Sequence, residues 1–235
     1  MHAELQQLIE RGSLWKGNAR PRSAGEQADV YVSSGQRVLD QALGGGWLCG
    51  RVHELQCAHL FSGELSLLAA GIAKAAELAR PVFWLAPPAI PYAPALQGML
   101  AHQASNAITK SCSNGSAQHI VINPANAADA LWAAETILHS GQVAVLMLWA
   151  EQLSATAVRR LHLAAAESDA WVFVITGVQN EEARSYATRL RVHVEPRHGR
   201  DNVAQLANVQ WQLLKRNGGW PIRLPRQPLP RWPSG

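Results

Sequence analysis

The chain is poor in the residues that build ready-made scaffolds and sites. It has three cysteines in 235 residues (Cys49, Cys57 and Cys112), too few and too irregularly spaced for a disulfide framework or a zinc centre. Lysine is scarce: four of the 21 basic residues are Lys and the other 17 are Arg. Phe and Tyr number three each. No run of about 18 apolar residues occurs, which argues against a membrane-spanning helix. The opening Met1-His2-Ala3-Glu4-Leu5 lacks the basic-then-apolar pattern of a secretory signal. These absences lead to the expectation of a reduced, cytoplasmic protein with no membrane partner. With 48% apolar and 16% charged residues, the chain can bury a substantial core without staples.

Tryptophan is plentiful, and arginine becomes so toward the C-terminus. From Arg184 onward nine Arg and one Lys stand against Glu195 and Asp201, a local charge of about +8 in a chain whose total is +4. Arginine's planar fork suits phosphate, carboxylate and interfaces, so this segment is a candidate for nucleic acid or an acidic partner. Of the nine tryptophans, Trp84, Trp149 and Trp171 fall in predicted strands and read as core. Trp132 falls on a predicted helix. Trp15, Trp47, Trp220 and Trp232 fall in loops or tails, and the last two have little core around them.

Residues 1–31 read as an N-terminal arm: a short helical face (Leu5, Leu8, Ile9) followed by an aperiodic linker. A core domain follows over 32–216. It opens with an amphipathic helix over 34–43 closed by Gly44-Gly45-Gly46, whose glycines suit a tight connection. Strands are predicted at 51–56, 82–86, 119–123, 143–149 and 171–176, and helices at about 63–79, 93–103, 125–139 and 154–167. Apolar strands alternating with helices imply a mainly parallel sheet covered on both faces. The pattern then changes: 191–195 and 209–213 alternate with period two, as an antiparallel pair does. The last segment, 217–235, holds five prolines within 221–233 and reads as an extended or disordered tail unable to join a ladder. Its removal is accordingly expected to leave the thermal midpoint nearly unchanged.

The junction after the first core strand is where nucleotide-binding sheets carry their phosphate loop. Such a loop needs Gly, four residues, then Gly-Lys-Ser/Thr, so that amides and a lysine hold phosphate and a hydroxyl holds magnesium. Here the junction reads Cys57-Ala58-His59-Leu60-Phe61-Ser62-Gly63-Glu64-Leu65. Ala58 stands for the first glycine, Gly63 for the second, Glu64 for the lysine and Leu65 for the hydroxyl. A like-charge contact at 4 Å costs on the order of 4 kcal/mol at an effective dielectric near 20. The strand over 143–149 ends in Trp149-Ala150, and the nearest carboxylate, Glu151, lies beyond it. Both halves of the nucleotide machinery are missing, so no catalytic residue and no cofactor is assigned. The pairs His53/His59 and His193/His198 lack metal-ligand spacing, and no metal site is assigned. Ser62 lacks a nucleophile elbow, and the nearness of Cys57 to a histidine in sequence says little about pairing.

Several segments together carry a family resemblance. They are Ser34-Gly35-Gln36-Arg37-Val38-Leu39-Asp40-Gln41-Ala42-Leu43 running through Gly46-Trp47 to His53-Glu54-Leu55; Leu14-Trp15-Lys16-Gly17; Ala86-Pro87-Pro88-Ala89-Ile90-Pro91-Tyr92-Ala93-Pro94; the helix with Ala130-Leu131-Trp132; and Leu213-Leu214-Lys215-Arg216-Asn217-Gly218-Gly219. In these the chain resembles the ImuA family, bacterial RecA-like proteins associated with DNA-damage-induced translesion synthesis. The stretch at about 104–118 departs from that pattern as an insertion.

The resemblance implies an α/β RecA-like core with a C-terminal antiparallel strand pair and extended arms, and a non-catalytic role in the SOS response. It implies an ImuB-like protein, RecA and an error-prone replicative-type polymerase as partners. Residues 1–15 are placed to copy the docking arm of a RecA-type filament. The same core resembles SulA, the division inhibitor that binds FtsZ, and this is the alternative; SulA is shorter and lacks the basic extension. The candidate partner-binding residues are Trp211, Lys215, Arg216, Trp220, Arg223, Arg226, Arg231 and Trp232, with a weak DNA contact through the same basic region.

Overall fold

The structure is a computed structural model that describes residues 29–59, 63–98, 117–179, 185–194, 208–216 and 219–228. In chain order the elements are β1 (Tyr31–Val32), α1 (Arg37–Leu43), β2 (Trp47–Leu48), β3 (Arg51–Cys57), a 3-10 turn (Glu64–Leu67), α2 (Ala69–Glu77) and β4 (Val82–Leu85). After a helical stretch at 93–98 come β5 (His119–Ile122), α3 (Ala127–His139), β6 (Val145–Trp149), α4 (Ala155–Ser168) and β7 (Trp171–Thr176). The chain continues through β8 (Thr188–Val194), β9 (Asn208–Lys215), β10 (Ile222–Arg223) and β11 (Gln227–Pro228).

Nine strands form one sheet in the order β10-β9-β8-β3-β7-β6-β4-β5, with β11 also paired to β9. The pairs from β8 through β3, β7, β6 and β4 to β5 are parallel. Strand β9 runs antiparallel to β8, and β10 and β11 antiparallel to β9. A separate two-stranded antiparallel sheet joins β1 to β2, with Val32 opposite Trp47.

Both faces of the large sheet are covered, which is why its central strands are apolar without alternation. On one face α1, the 3-10 turn and α2 bring Leu39, Leu67, Leu68 and Ile72 to a core that also holds Leu55, Met147, Phe173 and Leu190. On the other, Ala134 and Leu138 of α3 and Leu161 and Ala165 of α4 belong to a core with Val52, Leu146, Leu148 and Val174. The helices start where side chains can satisfy their first free amides. Asn126 accepts from the Asp129 amide at the head of α3, and Ser154 from the Ala157 amide at the head of α4.

Five of the six parallel strands, β3 to β7, lie where the apolar runs place them, within two residues at each end. The helix predicted over 63–79 is divided: Gly63 turns at φ 84°, a 3-10 turn follows, and α2 begins at Ala69. The helical face at 4–11 and most of the 104–118 insertion lie outside the described residues, as does the end of the helix predicted over 93–103. No helix among the described residues is long and apolar enough to cross a membrane.

The C-terminal segment differs most from expectation. Ile222 pairs with Leu213 and Arg223 with Gln212, while Gln227 pairs with Val209 and Pro228 with Asn208. Between them the Leu224 amide donates to the Trp211 carbonyl at 2.9 Å, and Leu224, 4% exposed, joins the core. The prolines do not forbid this ladder, because each strand is two residues long and lies at an edge, where a missing N–H is tolerated. A deletion from 217 onward therefore strips core as well as tail.

Candidate functional site

Strand β3 ends at Cys57, and the turn that follows stands where a phosphate loop stands in nucleotide-binding sheets. Ala58 is exposed, Gly63 adopts a left-handed conformation, and Leu65 is half-buried. Glu64, at the lysine position, is only 2% exposed. Ser66 donates from its hydroxyl to the Gly63 carbonyl at 2.5 Å, which closes the turn on itself. The Cys57 thiol is pushed up to about 12, first by burial and then by the charge of Glu64. A buried carboxylate thus takes the place of a phosphate-binding cation. Glu151, exposed, follows the end of β6 without forming part of it.

At the carboxyl ends of β3, β6 and β7 lies an open cleft of about 360 Å³. This edge is where ligands bind in open α/β sheets. Cys57, Ala58, Pro88, Trp149, Thr176 and Gly177 line it, with Glu151 as the one charged lining residue among the described residues. The Trp149 ring stacks on Trp84 with centroids 5.9 Å apart and planes 10° from parallel. Trp84 in turn donates from Nε1 to His119 Nδ1 at 3.0 Å. Two polar atoms of the lining, Trp149 Nε1 and Thr176 Oγ1, are buried without a hydrogen-bond partner among the described residues. Sequence reasoning missed this cleft, although the rule that sheets bind ligands beyond their carboxyl ends pointed to the strand ends that form it.

The C-terminal candidates separate into distinct environments. Trp211 on β9 is buried in the core and is not presented to a partner. Lys215 lies at the exposed end of β9, and partial burial and the charge of Arg189 hold its ammonium below the usual lysine range. Arg216 donates from Nη1 to the Ala42 carbonyl at 2.6 Å and from Nε to the Trp220 carbonyl at 3.1 Å. The Trp220 backbone is thereby tied through Arg216 to the end of α1, and the indole itself is 86% exposed. Arg223 and Arg226 are exposed on the same flank. Arg231 and Trp232 lie outside the described residues.

Two arginines of the basic C-terminal run serve the interior. Arg189 donates to Glu54 on the adjacent strand, and Gln56 donates to the same Glu54 oxygen at 3.1 Å. Arg191 donates to Gln56 Oε1 at 3.1 Å and to the Gln179 carbonyl at 3.0 Å. The basic surface is therefore smaller than the charge count suggests.

His53 is buried edge-on to Trp47, and its Nε2 donates to the Leu48 carbonyl at 2.9 Å. Burial pushes its pKa down to about 4, so the ring is neutral. His59 and His193 are exposed, and His198 lies outside the described residues. No group of three or more His, Cys, Asp or Glu suited to a metal ion occurs among the described residues. Cys49 donates from Sγ to the Asp169 carbonyl at 3.0 Å, and burial raises its thiol to about 11.

Trp47 is core: it donates to the Leu67 carbonyl at 2.9 Å and accepts from Trp171 Nε1 at 3.1 Å. The glycine run before it is a tight connection, as its composition implied. Gly44 caps α1 at φ 82°, and Gly46, at φ 120°, would place a Cβ 2.2 Å from the Val32 carbonyl oxygen.

No protein-family model matches the chain, and no curated protein matches it.

Proposed function

We propose that the chain is a non-catalytic, RecA-like accessory protein of SOS-induced, error-prone translesion DNA synthesis. In this reading it acts by contacts with an ImuB-like protein, RecA and an error-prone replicative-type polymerase. The observation that carries the reading is Glu64, a buried carboxylate in the position of the phosphate-binding lysine. A triphosphate at that turn meets negative charge, and β6 ends in Trp149 with no carboxylate to hold magnesium. A helix-covered, mainly parallel sheet with a C-terminal antiparallel pair, stripped of its phosphate chemistry, is left with its surfaces. The family resemblance of the sequence segments supplies the biological setting.

The hold of Arg216 on the Trp220 carbonyl supports the choice of surface. An exposed indole whose backbone carbonyl is held by Arg216, itself bonded to the Ala42 carbonyl, is a preorganised anchor for a partner pocket. Lys215, Arg223 and Arg226 add cationic surface for a DNA contact, which predicts affinity that falls steeply with salt.

The test is capture of purified ImuB, RecA and FtsZ from the same bacterium by the full chain and by Trp220→Ala. Capture of ImuB or RecA, lost in the variant, is the expected result. Capture of FtsZ alone, or magnesium-dependent ATP turnover, overturns the proposal.

A further inference from the structure

We infer that the cleft at the carboxyl edge of the sheet receives a segment of a partner protein that presents a basic side chain beside an aliphatic or aromatic one. The inference concerns the cleft alone and does not depend on the translesion reading.

The first argument is unspent hydrogen-bonding capacity. Thr176 is 4% exposed, and its hydroxyl and the Trp149 indole N–H are buried without partners among the described residues while their side chains line the cleft. Buried donors of this kind are nearly always satisfied in a folded protein, so each is left for an acceptor that the described residues do not supply. Both can donate to a carbonyl oxygen, which a peptide backbone supplies at every residue.

The second argument is charge. Glu151 lines the cleft, and no Lys, Arg or His does so among the described residues. Glu64 lies close enough to act on the Cys57 thiol, another lining group. A phosphate or an acidic peptide meets only negative charge here, whereas an ammonium or guanidinium meets an acceptor.

The third argument is extent. The rest of the lining is mostly apolar, and about 360 Å³ suits one or two side chains. Exposed apolar side chains also follow two lining residues along the chain. Ile90 and Tyr92, which follow the lining residue Pro88, are 79% and 71% exposed, and Val178, which follows Gly177, is also exposed. A small molecule in the cleft leaves these side chains in water, while a polypeptide crossing the edge covers them.

The experiment applies the full chain to an array of capped heptapeptides whose central pair combines Arg, Lys, Glu or Gly with Leu, Trp or Ser. The preferred peptide, fluorescently labelled, is then titrated in solution. Binding of Arg or Lys beside Leu or Trp in preference to the Glu counterparts is expected. Glu151→Arg is expected to weaken it about tenfold or more, and Thr176→Val and Trp149→Phe about threefold to tenfold each. Because Trp149 stacks on Trp84, its variant can fail to fold. Glu151 is exposed, so Glu151→Arg carries the test in that case. Absence of sequence preference, preference for acidic peptides, unchanged affinity in the variants, or displacement of the peptide by magnesium-ATP overturns the inference.

Discussion

Arg189 Nε lies 2.6 Å from Glu54 Oε2, and the two residues face each other in the register that joins β8 to β3. Both side chains are buried, so the pair fastens the last parallel pairing of the sheet, one strand before the antiparallel flank begins at β9. Removing one partner leaves an uncompensated charge in the interior. Arg189→Leu is expected to cost about 3–5 kcal/mol in urea unfolding, and the double change Glu54→Leu/Arg189→Leu distinctly less than the sum of the singles. Additive single effects mean that the two groups do not act as a pair.

His53 makes stability depend on pH in one direction. Its pKa is about 4 in the fold against 6.5 for the free side chain, so the unfolded chain binds the proton more readily. Stability is complete above pH 6.5 and falls as pH drops through that value toward 4. The expected loss is about 3 kcal/mol from this residue. Partial burial lowers His119 and His162 in the same sense. Unfolding free energy followed from pH 7.5 to 4 checks the slope, and His53→Gln, which does not titrate, is expected to flatten it.

The glycine run offers a contrast between strain and collision. Gly44 and Gly46 both have positive φ, but nothing lies within 4 Å of a Cβ at Gly44. Gly44→Ala is expected to cost about 1 kcal/mol from backbone conformation alone. Gly46→Ala adds a collision with the Val32 carbonyl and is expected to cost about 3 kcal/mol or more. Equal thermal midpoints for the two variants contradict this geometry.

Stability and partner binding separate on the C-terminal flank. Leu224→Ala is expected to lose about 2–4 kcal/mol, because the side chain lies in the core. Trp220→Ala, at a fully projecting indole, is expected to stay within about 0.5 kcal/mol of the parent. Deletion of 217–235 is expected to lower the thermal midpoint, and deletion of 229–235 to leave the two edge strands in place. Calorimetry on the four proteins distinguishes them.

Cys57 is expected to resist alkylation even though it lines an open cleft. A thiol with a pKa near 12 is almost wholly protonated at pH 8, and the thiolate is the reactive form. Site-resolved mass spectrometry after iodoacetamide treatment checks this: rapid labelling of Cys57 in the folded protein contradicts the burial and the nearby Glu64 charge.

The central strands were legible in the sequence because they are buried on both faces, so a local run of Val, Leu and Ile carries the whole signal. The flank was not. Whether Ile222-Arg223 pairs depends on the open edge of β9, which no local pattern announces, and composition alone read the prolines as a stop. Trp47 sits in a stretch that reads as loop, yet its indole is held by the Leu67 carbonyl and its own carbonyl by Trp171, far along the chain. Arg189 counted as surface charge until its partner, 135 residues away, came into register. That Glu64 stands at the lysine position, and that β6 ends in Trp149 with Glu151 only beyond it, follow a spacing and were readable; that Glu64 is buried was not. The cleft is assembled from four separated segments, and only the topology brings Pro88, Trp149 and Thr176 together.

The way β10 and β11 close the sheet bears on how the protein lives among its own copies. A long free strand is a template on which other chains add and polymerise, and a nine-stranded sheet has such a border on each side. Along this border the template is broken into two-residue pieces interrupted by Pro221, Pro225 and Pro228, none of which offers an amide. Neighbouring molecules cannot zip backbone to backbone there. The flank can carry an exposed tryptophan and several arginines at high local concentration and still join only those partners whose side chains fit it.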